Sequence, residues 1–329
     1  MRKYVIFCLA VVLALCGCAG EPAVPAETTA PAPTQTTAPT IVPETIDVQA
    51  EAEALAPAPE PAAPVVLEAE ASGEAEQRCD DAVIDYSHTS DGYVMVQYMS
   101  QTENRLKVLV KGPATTYSYN LTPGQWTVFP LSDGNGSYQV GVYENVVDSK
   151  YATVLAGDME VTLSDEFAPF LRPNQYVNYA DAPAVVALGA ELTAELEAPL
   201  EKVAAVYDYV VLHFSYDYEK AETVKSGYIP ELDQVLAEQK GICLDYAAVM
   251  TAMLRSQQIP CKMVVGYAGE VYHSWISVWT EENGWVDGII FFDGHVWKRM
   301  DPTFASSGGG SEEIMDFIEN GSYTVKYLY

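Results

Sequence analysis

Positive charge is scarce in this chain. Its 329 residues hold 17 Lys and Arg against 46 Asp and Glu, a formal net charge of −29. That balance argues against nucleic acid as a partner, because a phosphate backbone is met with a basic face. Long apolar runs are missing too. The one near the start, Tyr4 to Leu15, is too short for a comfortable transmembrane span. Metal-ligand patterns are also absent. There is no CxxC, no HExxH and no carboxylate cluster at ligand spacing, so neither a metal nor another cofactor is implied. Cysteine is rare, six in all, and histidine rarer, at four.

What is present begins with an address. Met1-Arg2-Lys3, the apolar run and then Cys16-Gly17-Cys18 have the form of a secretory signal. Leu15-Cys16-Gly17-Cys18 resembles the bacterial lipobox. That resemblance implies removal of residues 1–17, a diacylglyceryl group on Cys18, and an extracytoplasmic protein lipid-anchored to a bacterial cell membrane. Losing Cys8 and Cys16 and lipidating Cys18 leaves Cys79, Cys243 and Cys261. An odd number does not make a disulfide scaffold, and a free thiol exported from the cytoplasm calls for a reason. Pairing of Cys79 with another chain stays open.

Residues 18–80 are rich in Ala, Pro, Thr and Glu, with no basic residue after the signal until Arg78. Such a composition buries too little apolar surface to offset ordering entropy, and it reads as a disordered acidic tether. Residues 83–166 then turn β-like. Short runs rich in Val, Tyr and Thr, from Tyr93 to Leu163, are separated by turn signals such as Lys111-Gly-Pro113 and Thr122-Pro-Gly124. A small all-β sandwich is expected. Its tyrosines fill strand faces in the plain reading; a carbohydrate or peptide ligand on them is the second reading.

Residues 170–329 change character again, opening with a linker from Pro169 to Asn178. Val185 to Leu196 and Leu200 to His213 show helical periodicity, and Leu244, Ala247, Ala248, Thr251 and Leu254 repeat it after Gly241. Cys243 is therefore expected to open a helix running to about Ser256. Unpaired N–H groups and the positive dipole end would favour a thiolate there. His273 lies in a strand-like run, Val271 to Trp279, and Asp301 follows another, Gly294 to Met300, which Pro302 ends. A short helix from Glu312 to Glu319 and a strand from Tyr323 to Tyr329 are expected in the tail. Helices first and strands later is an α+β order. Thiol, imidazole and carboxylate in turn are the parts of an activated cysteine nucleophile. One cysteine at a helix start is commonly just a small buried hydrophobe. It is the ordered set that carries the chemistry. Cys261 reads as a core residue, and His88, His213 and His295 as structural or exposed.

At these residues the chain resembles the transglutaminase-like superfamily, a papain-like group of cysteine enzymes. The matching pieces are GICLDYA at 241–247, QIP at 258–260, VVGY at 264–267, HSW at 273–275 and DPT at 301–303, within about Pro183 to Phe304. The resemblance implies a papain-like α+β core with Cys243 as nucleophile, His273 as base and Asp301 as the residue orienting it. Tyr216 and Tyr228 become candidates for the oxyanion site or the cleft. Two departures stand out. Cys261 replaces a commoner small residue, and an extra apolar segment, Val286 to Asp293, lengthens the stretch between His273 and Asp301.

The expected function is surface-anchored, cysteine-dependent acyl transfer on peptide amides, with hydrolysis favoured and a peptide or protein of the cell surface or wall as substrate. Cross-linking of glutamine to lysine shares the same acyl-enzyme half and is the first alternative. A binding or scaffold module with idle chemistry is the second.

Overall fold

The structure, a computed structural model, describes residues 63–287, 289–292, 297–300 and 322–329. The signal, Cys18, most of the tether, His295, Asp301 and the helix expected at Glu312 to Glu319 lie outside the described residues.

Turn residues cut the first folded segment into eight strands: β1 (Glu76–Arg78), β2 (Ala82–Asp85), β3 (Tyr93–Tyr98), β4 (Leu106–Lys111), β5 (Thr116–Leu121), β6 (Thr127–Pro130), β7 (Gly136–Val147) and β8 (Lys150–Val161). They form two four-stranded antiparallel sheets, ordered β1-β2-β3-β6 and β5-β4-β7-β8. Period-two alternation sorts the faces of β4 and β5. Leu106, Val108, Val110, Tyr117, Tyr119 and Leu121 are buried inside, while Lys107, Ser118 and Asn120 occupy the other face. Tyr119 meets Phe129 of β6 across the two sheets at 4.8 Å between ring centroids.

Ordered contacts start earlier than the composition suggests. Within the stretch expected as tether, the Val65 N–H donates to Ser256 O at 2.8 Å, and β1 pairs with β2. Backbone donors and acceptors are the same in every composition, so a Pro/Ala/Glu-rich segment can still be held by a sheet edge or a helix end.

Among the described residues the second segment supplies five α-helices: α1 (Pro183–Thr193), α2 (Pro199–His213), α3 (Tyr218–Thr223), α4 (Leu232–Glu238) and α5 (Cys243–Ser256). Both α1 and α2 begin with proline, whose fixed φ and missing N–H suit the first helical position. The two-residue strands β9 (Ser215–Tyr216) and β10 (Lys240–Gly241) pair in parallel, and Tyr216 lies opposite Gly241. Then come β11 (Cys261–Ala268), β12 (Val271–Thr280), β13 (Gly284–Asp287), β14 (Ile289–Phe292), β15 (Trp297–Met300) and β16 (Tyr323–Leu328). The main sheet is antiparallel in the order β13-β12-β11-β16, and β14 pairs with β15. The result is an α+β core.

Helix α5 is its axis. Every residue from Asp245 to Ser256 is buried, because α1, α2 and α4 cover one side and β11 and β12 the other. The expected linker is itself packed. Pro169 and Phe170 are buried, Phe170 meets Trp285 edge-on at 5.4 Å, and Phe167, just before the linker, has its ring centroid 4.4 Å from that of Trp279. Tyrosines join the sandwich to the α+β core. The Tyr329 ring is 5.9 Å from Tyr117, 5.8 Å from Tyr119 and 4.7 Å from Tyr176. Offset and edge-on aromatic pairs of this kind add specific geometry to the area they bury.

Candidate active site

Cys243 is the first residue of α5 and is half-buried. Its place depends on Asp245, two residues on. The Asp245 carboxylate is wholly buried and accepts from the Ile242 N–H at 2.8 Å, which turns the chain into the helix. It also accepts from Tyr228 Oη at 2.7 Å and Lys220 Nζ at 2.7 Å, and Lys220 donates onward to Tyr228 Oη at 2.5 Å. A buried carboxylate is tolerable only when its oxygens are satisfied and its charge is met, and here both conditions hold. Gly241 follows from the same arrangement, since a Cβ there would run into the Asp245 side chain.

His273 sits on β12, the strand flanked by β11 and β13, with 4% of its surface exposed. It lies opposite Gly266, and its ring stacks loosely on Trp275 at 6.4 Å. The strand expected over 271–279 is present. Its two faces do not separate into core and solvent, because Ser274, Trp275, Ile276, Ser277 and Val278 are all buried.

Cys243 and His273 line one cleft of about 550 Å³. Tyr216 and Tyr228, the two aromatic candidates, line it as well. They differ in what their hydroxyls are free to do. Tyr228 donates a hydrogen bond to Asp245, and burial followed by that bond holds its phenol far above the ordinary range. Burial, reinforced by the charge of Cys243, pushes the Tyr216 phenol up to about 12, so its proton stays in place at neutral pH. Register with Gly241 puts Tyr216 two residues from Cys243 along the neighbouring strand. Asp301 lies outside the described residues. The described part of β15 ends at Met300, immediately before it.

The far wall of the cleft was not foreseen. It belongs to the sandwich, through Lys107, Ser118 and Asn120 on the outer face of β4 and β5. The loop after α3 closes against this wall at Gly227, whose φ of +88° and contact with the Asn120 amide leave no room for a Cβ. Asp245 was also missed as a functional residue, although it sits inside the GICLDYA motif. The signal was its position, three residues into a helix whose N-cap, Ile242, has no polar side chain.

The other thiols have different surroundings. Cys261 is wholly buried on β11 with Sγ 3.6 Å from Thr251 Oγ1, and burial pushes its thiol up to about 11. Cys79 is partly buried, with Sγ 3.8 Å from Val154 O. His88 pairs with Asp91 at 3.2 Å, and His213 bonds Tyr209 O at 2.8 Å, so both have local structural partners. Among the described residues no three His, Cys, Asp or Glu side chains gather as a metal site would need, and no helix is long and apolar enough to cross a membrane.

Comparison with known proteins adds the family. Over 119 residues the chain is 33% identical to the Uncharacterized protein YebA of Bacillus subtilis (strain 168), covering 30% of this chain and 16% of that one. Over 121 residues it is 27% identical to the kyphoscoliosis peptidase of Mus musculus, covering 31% and 18%. The chain thus spans under a fifth of the length of these relatives. The crystal structure of red sea bream transglutaminase superposes with a TM-score of 0.29 and 13% identity, over 72% of this chain and 57% of that one. Residues 186–287 match the family model for the transglutaminase-like superfamily, a range that includes Cys243 and His273. The chain therefore carries a transglutaminase-like domain over residues 186–287.

Proposed function

We propose that this protein performs cysteine-dependent acyl transfer on peptide amides, with hydrolysis as the outcome, while anchored to a bacterial cell membrane through a lipid on Cys18. The observation that carries the reading is that half-buried Cys243 at the start of α5 and buried His273 on β12 open into the same cleft. In the reaction the Cys243 thiolate attacks the amide carbonyl and forms a tetrahedral oxyanion. The oxyanion collapses to a thioester as protonated His273 gives its proton to the leaving amine. Water then attacks the thioester, His273 takes its proton, and the acid and the thiolate are released. Asp301 is assigned the orienting role, fixing the tautomer of His273. First-turn N–H groups of α5, together with the Tyr216 hydroxyl, are the candidate oxyanion donors.

Hydrolysis is favoured over cross-linking by the charge of the cleft. Lys107, Lys225 and Lys326 line it, and a lysine ammonium arriving as acyl acceptor would be repelled by all three. The mouse relative is itself called a peptidase, in keeping with this choice. A peptide bound in the cleft would touch the outer face of the sandwich, which makes peptide the ligand of that face in this reading.

The test is the pH profile of Cys243 alkylation by iodoacetamide, in wild type and His273→Ala, followed by a screen of peptide amides with and without a primary amine. A thiolate titrating well below the free value of about 8.5, lost on removing His273, is the expected result. Product that forms only with added amine would transfer the assignment to cross-linking. A Cys243 as slow as Cys261 would leave a binding module.

A further inference from the structure

Basic residues are a small minority in this chain, yet three lysines meet at the cleft. Lys107 comes from β4 of the sandwich, Lys225 from the loop after α3, and Lys326 from β16. Not one of the described residues lining the cleft is an Asp or Glu, in a sequence holding 46 of them. Random placement of so many carboxylates would be expected to neutralise at least part of such a group. Elsewhere it does: Lys220 pairs with Asp245 at 2.7 Å and Lys240 with Asp217 at 3.3 Å. No described carboxylate forms an ion pair with Lys107, Lys225 or Lys326.

The three come from segments distant in sequence, so no single helix or strand pattern accounts for their meeting. Lys107 is the most informative. It is half-buried, sits opposite Asn120, and has its ammonium pKa lowered by burial and then by the Arg105 charge. Among the described residues no carboxylate pairs with that ammonium. Lys326 lies alongside Tyr327 with Nζ 5.4 Å from the ring centroid, a cation–π contact that does not supply a negative charge.

We propose that Lys107, Lys225 and Lys326 form an anion-accepting subsite in front of Cys243, which selects acyl donors carrying a carboxylate close to the reacting amide. The proposal rests on the reading of Cys243 as the nucleophile. A cleft whose described charged side chains are lysines, inside a strongly acidic protein, focuses the field on itself. Anionic peptides, repelled by most of the surface, would find their attraction there. The carboxylate could belong to an acidic side chain or to the end of a peptide chain.

The test compares two alkylating agents of nearly the same size on the full chain, neutral iodoacetamide and anionic iodoacetate. In both cases the Cys243 Sγ–carbon bond forms as iodide leaves, so only the charge of the reagent differs. The expected result is an iodoacetate-to-iodoacetamide rate ratio at Cys243 at least about tenfold above that of the same cysteine in unfolded protein, falling as salt is raised. Lys107→Gln and Lys326→Gln should each lower the ratio about two- to fivefold, and Lys150→Gln, on β8 and outside the cleft, should leave it alone. The salt series on wild type makes the result independent of whether any variant folds.

Brisk iodoacetamide reaction with a ratio equal to the unfolded reference would overturn the subsite and leave the nucleophile standing. Slow reaction with both reagents would overturn the nucleophile and the subsite with it. The source of the carboxylate is then read from protection of Cys243 by short peptides at millimolar concentration. Each peptide is offered with a free or amidated end, and with Glu or Gln beside the target amide. Protection following the free end, or following Glu, supports the subsite and identifies the source; equal protection by the neutral peptides overturns it.

Discussion

Helix α5 has a cysteine at its first residue and another just past its far end, and the two ends are built for opposite purposes. At the start, Lys220 and Tyr228 join the buried Asp245 carboxylate in a network whose far side is a cleft, and Cys243 faces that cleft half-exposed. At the end, Arg255 is wholly buried and spends its donors on main-chain oxygens. Two bonds go to Cys261 O at 2.9 and 2.8 Å, one to Arg172 O at 2.6 Å and one to Tyr329 O at 2.7 Å. These bonds tie helix, linker and sheet together and leave nothing open to a substrate. Cys261 shares this sealed environment, and its thiol is pushed up rather than activated. A buried charged group is thus no sign of catalysis by itself. What separates the two ends is whether the network borders a cavity lined by a half-exposed thiol.

The largest effect should come from exchanging the cysteines' fates by mutation. Cys243→Ala is expected to lower turnover by about a thousandfold or more while leaving the melting temperature nearly unchanged. Cys261→Ala should do the reverse, keeping kcat/KM per folded molecule and costing about 1 kcal/mol through a small cavity. Alkylation of the native protein at pH 7 should follow the same division. With its thiol near 11, Cys261 carries a thiolate fraction of only about one in ten thousand. Substantial native labelling of Cys261 would break the comparison at its base.

Next come the two charge networks. Arg255→Met removes four hydrogen bonds from buried main-chain oxygens and is expected to cost about 2–4 kcal/mol, measured by denaturant unfolding, with the alkylation rate of Cys243 in the remaining folded protein unaltered. Asp245→Asn keeps the shape and an acceptor for the Ile242 N–H but strips the counter-charge from Lys220. A smaller loss of about 1–3 kcal/mol is expected, now accompanied by slower Cys243 alkylation, because the helix start has shifted. Equal effects on reactivity from both variants would mean that Asp245 is structural in the same sense as Arg255.

How much of this was legible in the sequence depends on the range of the interactions. The α5 helix from Cys243 to Ser256 and the strand carrying His273 follow from local periodicity, and the structure places them as expected. The spacing of helical residues constrains a turn or two, and that is enough to put Cys243 at a helix start. Alternation likewise marks Ser118 and Asn120 as facing away from the sandwich core. It does not distinguish solvent from the wall of a cleft belonging to another segment, so the sandwich's share in the site was invisible. The Lys220–Asp245 pair joins residues on different helices, with no pattern linking them. The early start of ordered chain at Val65 was missed because composition measures apolar content and is blind to backbone pairing.

The smallest and most discriminating effect concerns the two tyrosines, which look alike in the sequence and both line the cleft. Tyr228 is bonded to the buried Asp245, so Tyr228→Phe leaves a carboxylate oxygen short of one donor. The expected result is a loss of about 1 kcal/mol in stability, with kcat close to wild type once folded protein is counted. Tyr216 keeps its proton at neutral pH because burial, and after it negative charge on Cys243, opposes its ionisation. A neutral phenol near Cys243 can donate to an oxyanion that exists only in the transition state of the proposed reaction. Tyr216→Phe should therefore lower kcat about tenfold with little change in KM or melting temperature, less than the loss of a fully enclosed oxyanion donor because this phenol is only partly buried. If the pattern is reversed, with Tyr216→Phe shifting stability and Tyr228→Phe shifting kcat, then the Asp245 network belongs to the reacting groups and the separation between holding the cysteine and helping it react falls.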